Sequence, residues 1–146
     1  MKFMMIGKAN KDTEAGVMPS EEDFAAMARY NEELVNAGVL VDFVGLQPSS
    51  KGARVRFSAN GQVTVTDGPF AETKELIAGY IIINVKSRDE AIAWATRAPR
   101  NATQDHEVEI RQIFEAQDFA PSDGLEMNKA VREKLADSKK SSAPRA

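Results

Sequence analysis

No cysteine occurs among the 146 residues, and histidine and tryptophan occur once each. The missing thiols exclude disulfides, thiolate nucleophiles, zinc fingers and iron–sulfur clusters. One histidine among scattered carboxylates gives no metal-ligand spacing, so no metal site and no cofactor are expected. Long apolar runs are absent too, none approaching the roughly 20 residues that cross a bilayer. Neither charge dominates: 19 Lys and Arg against 22 Asp and Glu leave a formal charge of −3. Such a chain has no field for nucleic acid or an anionic membrane. Neither GxGxxG nor a Walker phosphate loop is present. Cytoplasm is the default compartment. The opening Met1-Lys2-Phe3-Met4-Met5-Ile6-Gly7 is too short for a secretory leader and reads as a first strand.

What is present is a globular composition, 42% hydrophobic and 28% charged, at the length of one ordinary domain. Lys2 to Lys8 is apolar on both faces and belongs inside a sheet. Ala9 to Pro19 reads as a loop. Ser20, with Asp23 three residues on, opens a helix over 20–37, and Gly38 stops it. Val39 to Leu46 is a second strand. Ala53, Val55 and Phe57 alternate with Arg54, Arg56 and Ser58 as a half-buried third. Asn60-Gly61 marks a hairpin returning through Gln62 to Thr66. A three-residue loop, Ala59-Asn60-Gly61, pairs Phe57 with Val63 and Val55 with Val65, which gathers one apolar face. It places Gly61 in the left-handed region.

Leu76 to Val85 is a long apolar strand at the centre of the sheet, and Gly79 inside it implies the close approach of a backbone or ligand. Ser87 and Glu90 open a second helix with Ala91, Trp94, Ala95 and Ala98 on its core face. Pro99 ends it, and Val108 to Phe114 closes the sheet. The order is βαββαβ with an inserted β-hairpin, an α+β, ferredoxin-like plan with both helices on one face. The strands apolar on both sides then require a cover for the other face, and a second copy supplies it. A homodimer is expected. Residues 120–146 form an extension, with a short helix at about 125–137 and a mobile tail beyond.

Between the fourth and fifth strands stands Asp67-Gly68-Pro69-Phe70-Ala71-Glu72-Thr73-Lys74-Glu75. It is longer and more charged than a plain turn, and such connections carry binding chemistry. This stretch resembles the signature of the DGPF group of the YCII-related family. The strand ending in Gly7, the Asn60-Gly61 hairpin and the closing Val108 to Phe114 resemble it too, over residues 1–119. The resemblance implies a dimeric α+β barrel with a ligand cleft between sheet and signature loop. It also implies, for some members, a regulatory partner of the sigma-factor-like kind. Other YCII relatives are lyases working through an early His–Asp pair. Here the sole histidine is His106.

Asp67 is the catalytic candidate: desolvated against Phe70 it would serve as a general base, whereas a turn cap accepting backbone N–H bonds would be its structural role. Phe70, Glu72, Lys74 and Tyr80 are candidate ligand-binding residues. Glu72, Lys74 and Glu75 either orient a polar substrate or form a solvated ion pair. Arg54, Arg56 and Arg111 either clamp an anion or cover an open sheet face. Tyr80 lines a cleft or belongs to the core. His106 reads as solvent-exposed. Two functions follow. One is a dimer binding a small polar molecule beside the 67–75 loop, with a ligand-binding or regulatory role. The other is an enzyme of proton transfer or elimination with Asp67 as base.

Overall fold

Apolar residues at both parities of the first strand place it where a sheet must be closed on both sides. The computed structural model describes residues 1–71, 74–100 and 104–141. Two compact units divide the chain, Met1–Ile113 and Phe114–Ala146. In chain order the first runs β1 (Lys2–Lys8), α1 (Lys11–Glu14), α2 (Glu21–Asn36), β2 (Leu40–Gly45), β3 (Ala53–Phe57), β4 (Val63–Asp67), β5 (Ile77–Asn84), α3 (Arg88–Thr96) and β6 (Val108–Gln112). The second carries α4 (Asp123–Ser141).

β1 pairs antiparallel with β5 on one side and β6 on the other, giving the order β2-β5-β1-β6. That is the strand order of a ferredoxin-like α+β fold. Strand alternation sends Phe3, Met5 and Ile83 to one face, where they meet Tyr30 and Leu34 of α2 and Ala91 of α3 in the buried core. Met4, Ile6, Tyr80, Ile82 and Val44 occupy register positions on the opposite face. Ile83 and Leu34 are fully buried, and burial of such side chains contributes about 1.5–3 kcal/mol each.

The helix starts follow their capping chemistry. Asp23 N donates to Ser20 Oγ at 3.1 Å, and Gly38 leaves α2 at φ +71°. At α3, Glu90 N donates to Ser87 Oγ at 3.1 Å, while the Glu90 carboxylate accepts from Lys86 N at 2.8 Å. The segment expected as loop over 9–19 contains α1. Its cap is reciprocal: Thr13 N donates to Asn10 Oδ1 and Asn10 N to Thr13 Oγ1, at 2.9 and 2.8 Å.

β3 and β4 form a two-stranded sheet of their own, with Phe57 opposite Val63 and Val55 opposite Val65. Gly61 has φ +86° and donates to the Ser58 carbonyl, as the three-residue loop requires. The apolar face so gathered is not buried. Val55, Phe57, Val63 and Val65 are all exposed, Phe57 at 76%. α4 begins at Asp123 and continues through Ser141, so residues 138–141, expected in a mobile tail, are helical. Lys139 and Lys140 in its last turn suit the negative end of the helix dipole. Residues 142–146 lie outside the described residues. Among the described residues no helix is long and apolar enough to cross a membrane.

Candidate functional site

The signature loop is tied down by groups far from it in sequence. Gly68 N donates to the Gly52 carbonyl at 2.9 Å, and the Gly68–Pro69 peptide is cis. Phe70 N donates to Ser49 Oγ at 3.0 Å. Ser49 in turn donates from Oγ to Glu14 Oε2 at 2.5 Å and from its backbone N to Glu14 Oε1 at 3.1 Å. A side chain at 68 would overlap the Ser49 carbonyl, so only glycine fits against this segment. Phe70 is half-buried, with the Arg54 guanidinium 3.9 Å above its ring.

The expected site residues do not converge. Asp67 stands opposite Ala53, and alternation puts it on the Val55–Val65 face of the hairpin, away from Arg54 and Arg56. It is exposed, and its carboxylate has no hydrogen-bond or ion-pair partner among the described residues. Among the described residues it therefore neither caps the turn nor lies buried against Phe70. Phe70 is occupied by Arg54, and the Gly68 N–H by Gly52. Lys74 and Glu75 are exposed, and Glu72 lies outside the described residues. Tyr80 is half-buried opposite Ile6 and Val44, outside the helix-covered core. Arg111 Nη1 donates to Glu109 Oε1 at 3.0 Å, and Lys8 Nζ to Glu109 Oε2 at 2.8 Å. The hydrogen bond from Lys8, then that from Arg111, hold the Glu109 carboxyl below its ordinary range. His106 is exposed, as its polar loop implies.

A different feature does make an enclosure. Gly7, Gly79 and Gly45 stand side by side on β1, β5 and β2, in register across three strands. The β2–β5 approach explains Gly79, because a side chain there would overlap the Val44 carbonyl oxygen. A side chain at Gly45 would meet nothing within 4 Å, and one at Gly7 only the Gly79 carbonyl at 3.8 Å. Over this bare floor lies a cavity of about 630 Å³, walled by Met27, Ala28 and Asn31 of α2, Phe43 of β2 and Ile81 of β5. Phe24 and Phe43 stand at its open side, 67% and 55% exposed. Asn31 lines the cavity, and its Oδ1, closed to solvent, has no hydrogen-bond partner. Tyr30 also lines the cavity, but its hydroxyl donates to the Trp94 carbonyl at 2.8 Å, and burial pushes its pKa up to about 12. Of the expected site residues only Tyr80 borders the cavity, with His106 at the rim. The sequence signal for it was Gly79, which implied a close approach and meets the Val44 backbone, while Gly7 and Gly45 carry no signal until the strands are paired.

The YCII-related domain matches residues 1–117. The chain belongs to the YCII-related family. An uncharacterized protein of Rhizobium meliloti (strain 1021) is similar to it, 37% identical over 89 residues, which cover 59% of this chain and 71% of that protein. The YCII-related segment thus spans β1 through β6 and stops before α4.

Proposed function

We propose that this YCII-related protein binds a small molecule in the cavity beneath α2, and that it works as a homodimer. The observation that carries the binding reading is the in-register row Gly7–Gly79–Gly45, which leaves the sheet floor open under an apolar roof. The dimer is supported by two apolar surfaces. One is the exposed hairpin face with Phe57, and the other is the sheet face with Met4, Ile6 and Ile82, opposite both α2 and α3. The signature loop fixes the hairpin arm through Ser49 and Glu14, and a regulatory protein partner would read the ligand state of the dimer. Proton transfer by Asp67 has less support, since Asp67 does not border the cavity beneath α2.

A small-molecule screen by thermal shift tests the reading on wild type, Gly45→Leu and Asp67→Asn. Ligands raise the midpoint of the wild type by mass action. The same hits should survive Asp67→Asn and vanish in Gly45→Leu, where the leucine fills the cavity. The reverse pattern would place the ligand beside the signature loop instead.

A further inference from the structure

We infer that a second small-molecule site lies between α3 and the edge strand β6, and that it takes an apolar α-amino acid. Spacing and register build its floor. Ile92, Ala95 and Thr96, three and four residues apart, share one face of α3. Val108 and Ile110 stand opposite Gly7 and Met5, on the helix-covered side of the sheet. These residues line a cavity of about 530 Å³. Ala95, Val108 and Ile110 pack against the core, so the floor is apolar and takes an aliphatic side chain out of water.

Charge enters only at the rim. Thr96 Oγ1 donates to the Ala93 carbonyl at 2.8 Å, and Gln104 Nε2 donates to Asp12 Oδ2 at 2.6 Å. The second bond ties the segment ahead of β6 to α1. The other rim groups, Arg100, Asp105 and His106, have no hydrogen-bond or ion-pair partner among the described residues.

A guanidinium and a carboxylate above one apolar floor select a ligand bearing both opposite charges at one end. The carboxylate of an amino acid meets the planar fork of Arg100, and its ammonium meets Asp105. A simple anion would be repelled by Asp105, and a simple cation by Arg100. The side chain is left for Ile92, Val108 and Ile110.

Calorimetric titration with leucine, leucinamide, 4-methylpentanoate and glycine takes the ligand apart. Wild type should bind leucine about fivefold tighter than leucinamide, which lacks the carboxylate, or 4-methylpentanoate, which lacks the ammonium. That factor is the upper end of what a solvated ion pair contributes. Glycine, with no side chain for the floor, should bind weakest. Arg100→Gln should erase the preference over leucinamide, and Asp105→Asn the preference over 4-methylpentanoate. Ala95→Phe should fill the cavity and abolish leucine binding. Should that variant not fold, amide-shift mapping of the wild type locates the ligand. Shifts at Ile92, Thr96 and Ile110 uphold the site, whereas shifts centred on Phe43 and Gly45, which border only the cavity beneath α2, overturn it. Folded Gly45→Leu should keep its leucine affinity while losing ligands of the cavity beneath α2, so either site can fail alone. Equal affinity for leucine and either analogue, glycine binding as tightly as leucine, or a preference that survives its variant overturns the ligand class. No binding of leucine overturns site and class together.

Discussion

Tyr30 shows how a single buried group sets a pH limit. Its hydroxyl is held neutral by desolvation, with a folded-state pKa of about 12 against the ordinary 10.0. The unfolded chain therefore ionises first. Stability from this group is complete below pH 10 and is lost as pH rises through the folded value. Tyr30→Phe should cost about 1 kcal/mol at neutral pH, by orphaning the Trp94 carbonyl, yet flatten the alkaline limb of a stability profile. Denaturant melts from pH 8 to 12 check both effects. Glu109 acts at the other end. Its carboxyl is depressed by Lys8 and Arg111, so its contribution is present above the ordinary carboxylate range and fades as pH falls through the folded value. Glu109→Gln should remove that acid dependence.

Among the elements, the hairpin is held by two kinds of constraint. Gly61 sits at φ +86°, where a β-branched residue is strained, so Gly61→Val should cost about 1–2 kcal/mol in chemical melts. The clamp of Glu14, Ser49 and Phe70 acts from outside. Ser49→Ala removes two hydroxyl bonds and should cost about 1–2 kcal/mol. It should also speed hydrogen exchange at the Phe70 amide, which a purely global loss of stability would not single out. The hairpin register was legible in the sequence because turn length and alternation decide it locally. α2 was legible because its spacing, its Ser20 cap and its Gly38 stop agree. α1 was hidden, since its Asn10–Thr13 cap gives one turn without an apolar stripe. The site was mostly hidden. Its floor depends on which residues of three strands stand abreast, and no single strand records that. Alternation also parted residues that look adjacent in sequence, setting Asp67 on one side of β4 and Thr66 and Arg54 on the other.

For the whole molecule, the decisive quantity is uncovered apolar area. Phe57, Val55, Val63 and Val65 are exposed together on one face, more than solvent-facing strands usually show. Light scattering at low micromolar concentration should therefore give about twice 16.0 kDa. Phe57→Lys should shift the mass toward one chain, because a charge placed in a desolvated interface has no partner. An unaltered dimer in that variant would remove the hairpin from the interface. The α+β plan was legible from strands apolar at both parities, spaced around two capped helices. The helical continuation through Ser141 was not, because its polar composition reads equally well as a solvated tail.

The position of β1 also bears on how the chain is made. β1 is synthesised first but pairs only with β5 and β6. From Lys8 to Ile77 the ribosome must add about 70 residues, several seconds or more at roughly 5–20 residues per second. Through that interval Phe3, Met4, Met5 and Ile6 have no strand to pair with, and both their faces are sticky. The nascent chain thus carries this apolar strand unpaired until β5 is made, which makes β1 a natural holding point for a chaperone. Slowing translation between β1 and β5 should raise the aggregated fraction, while slowing it after β6 should not.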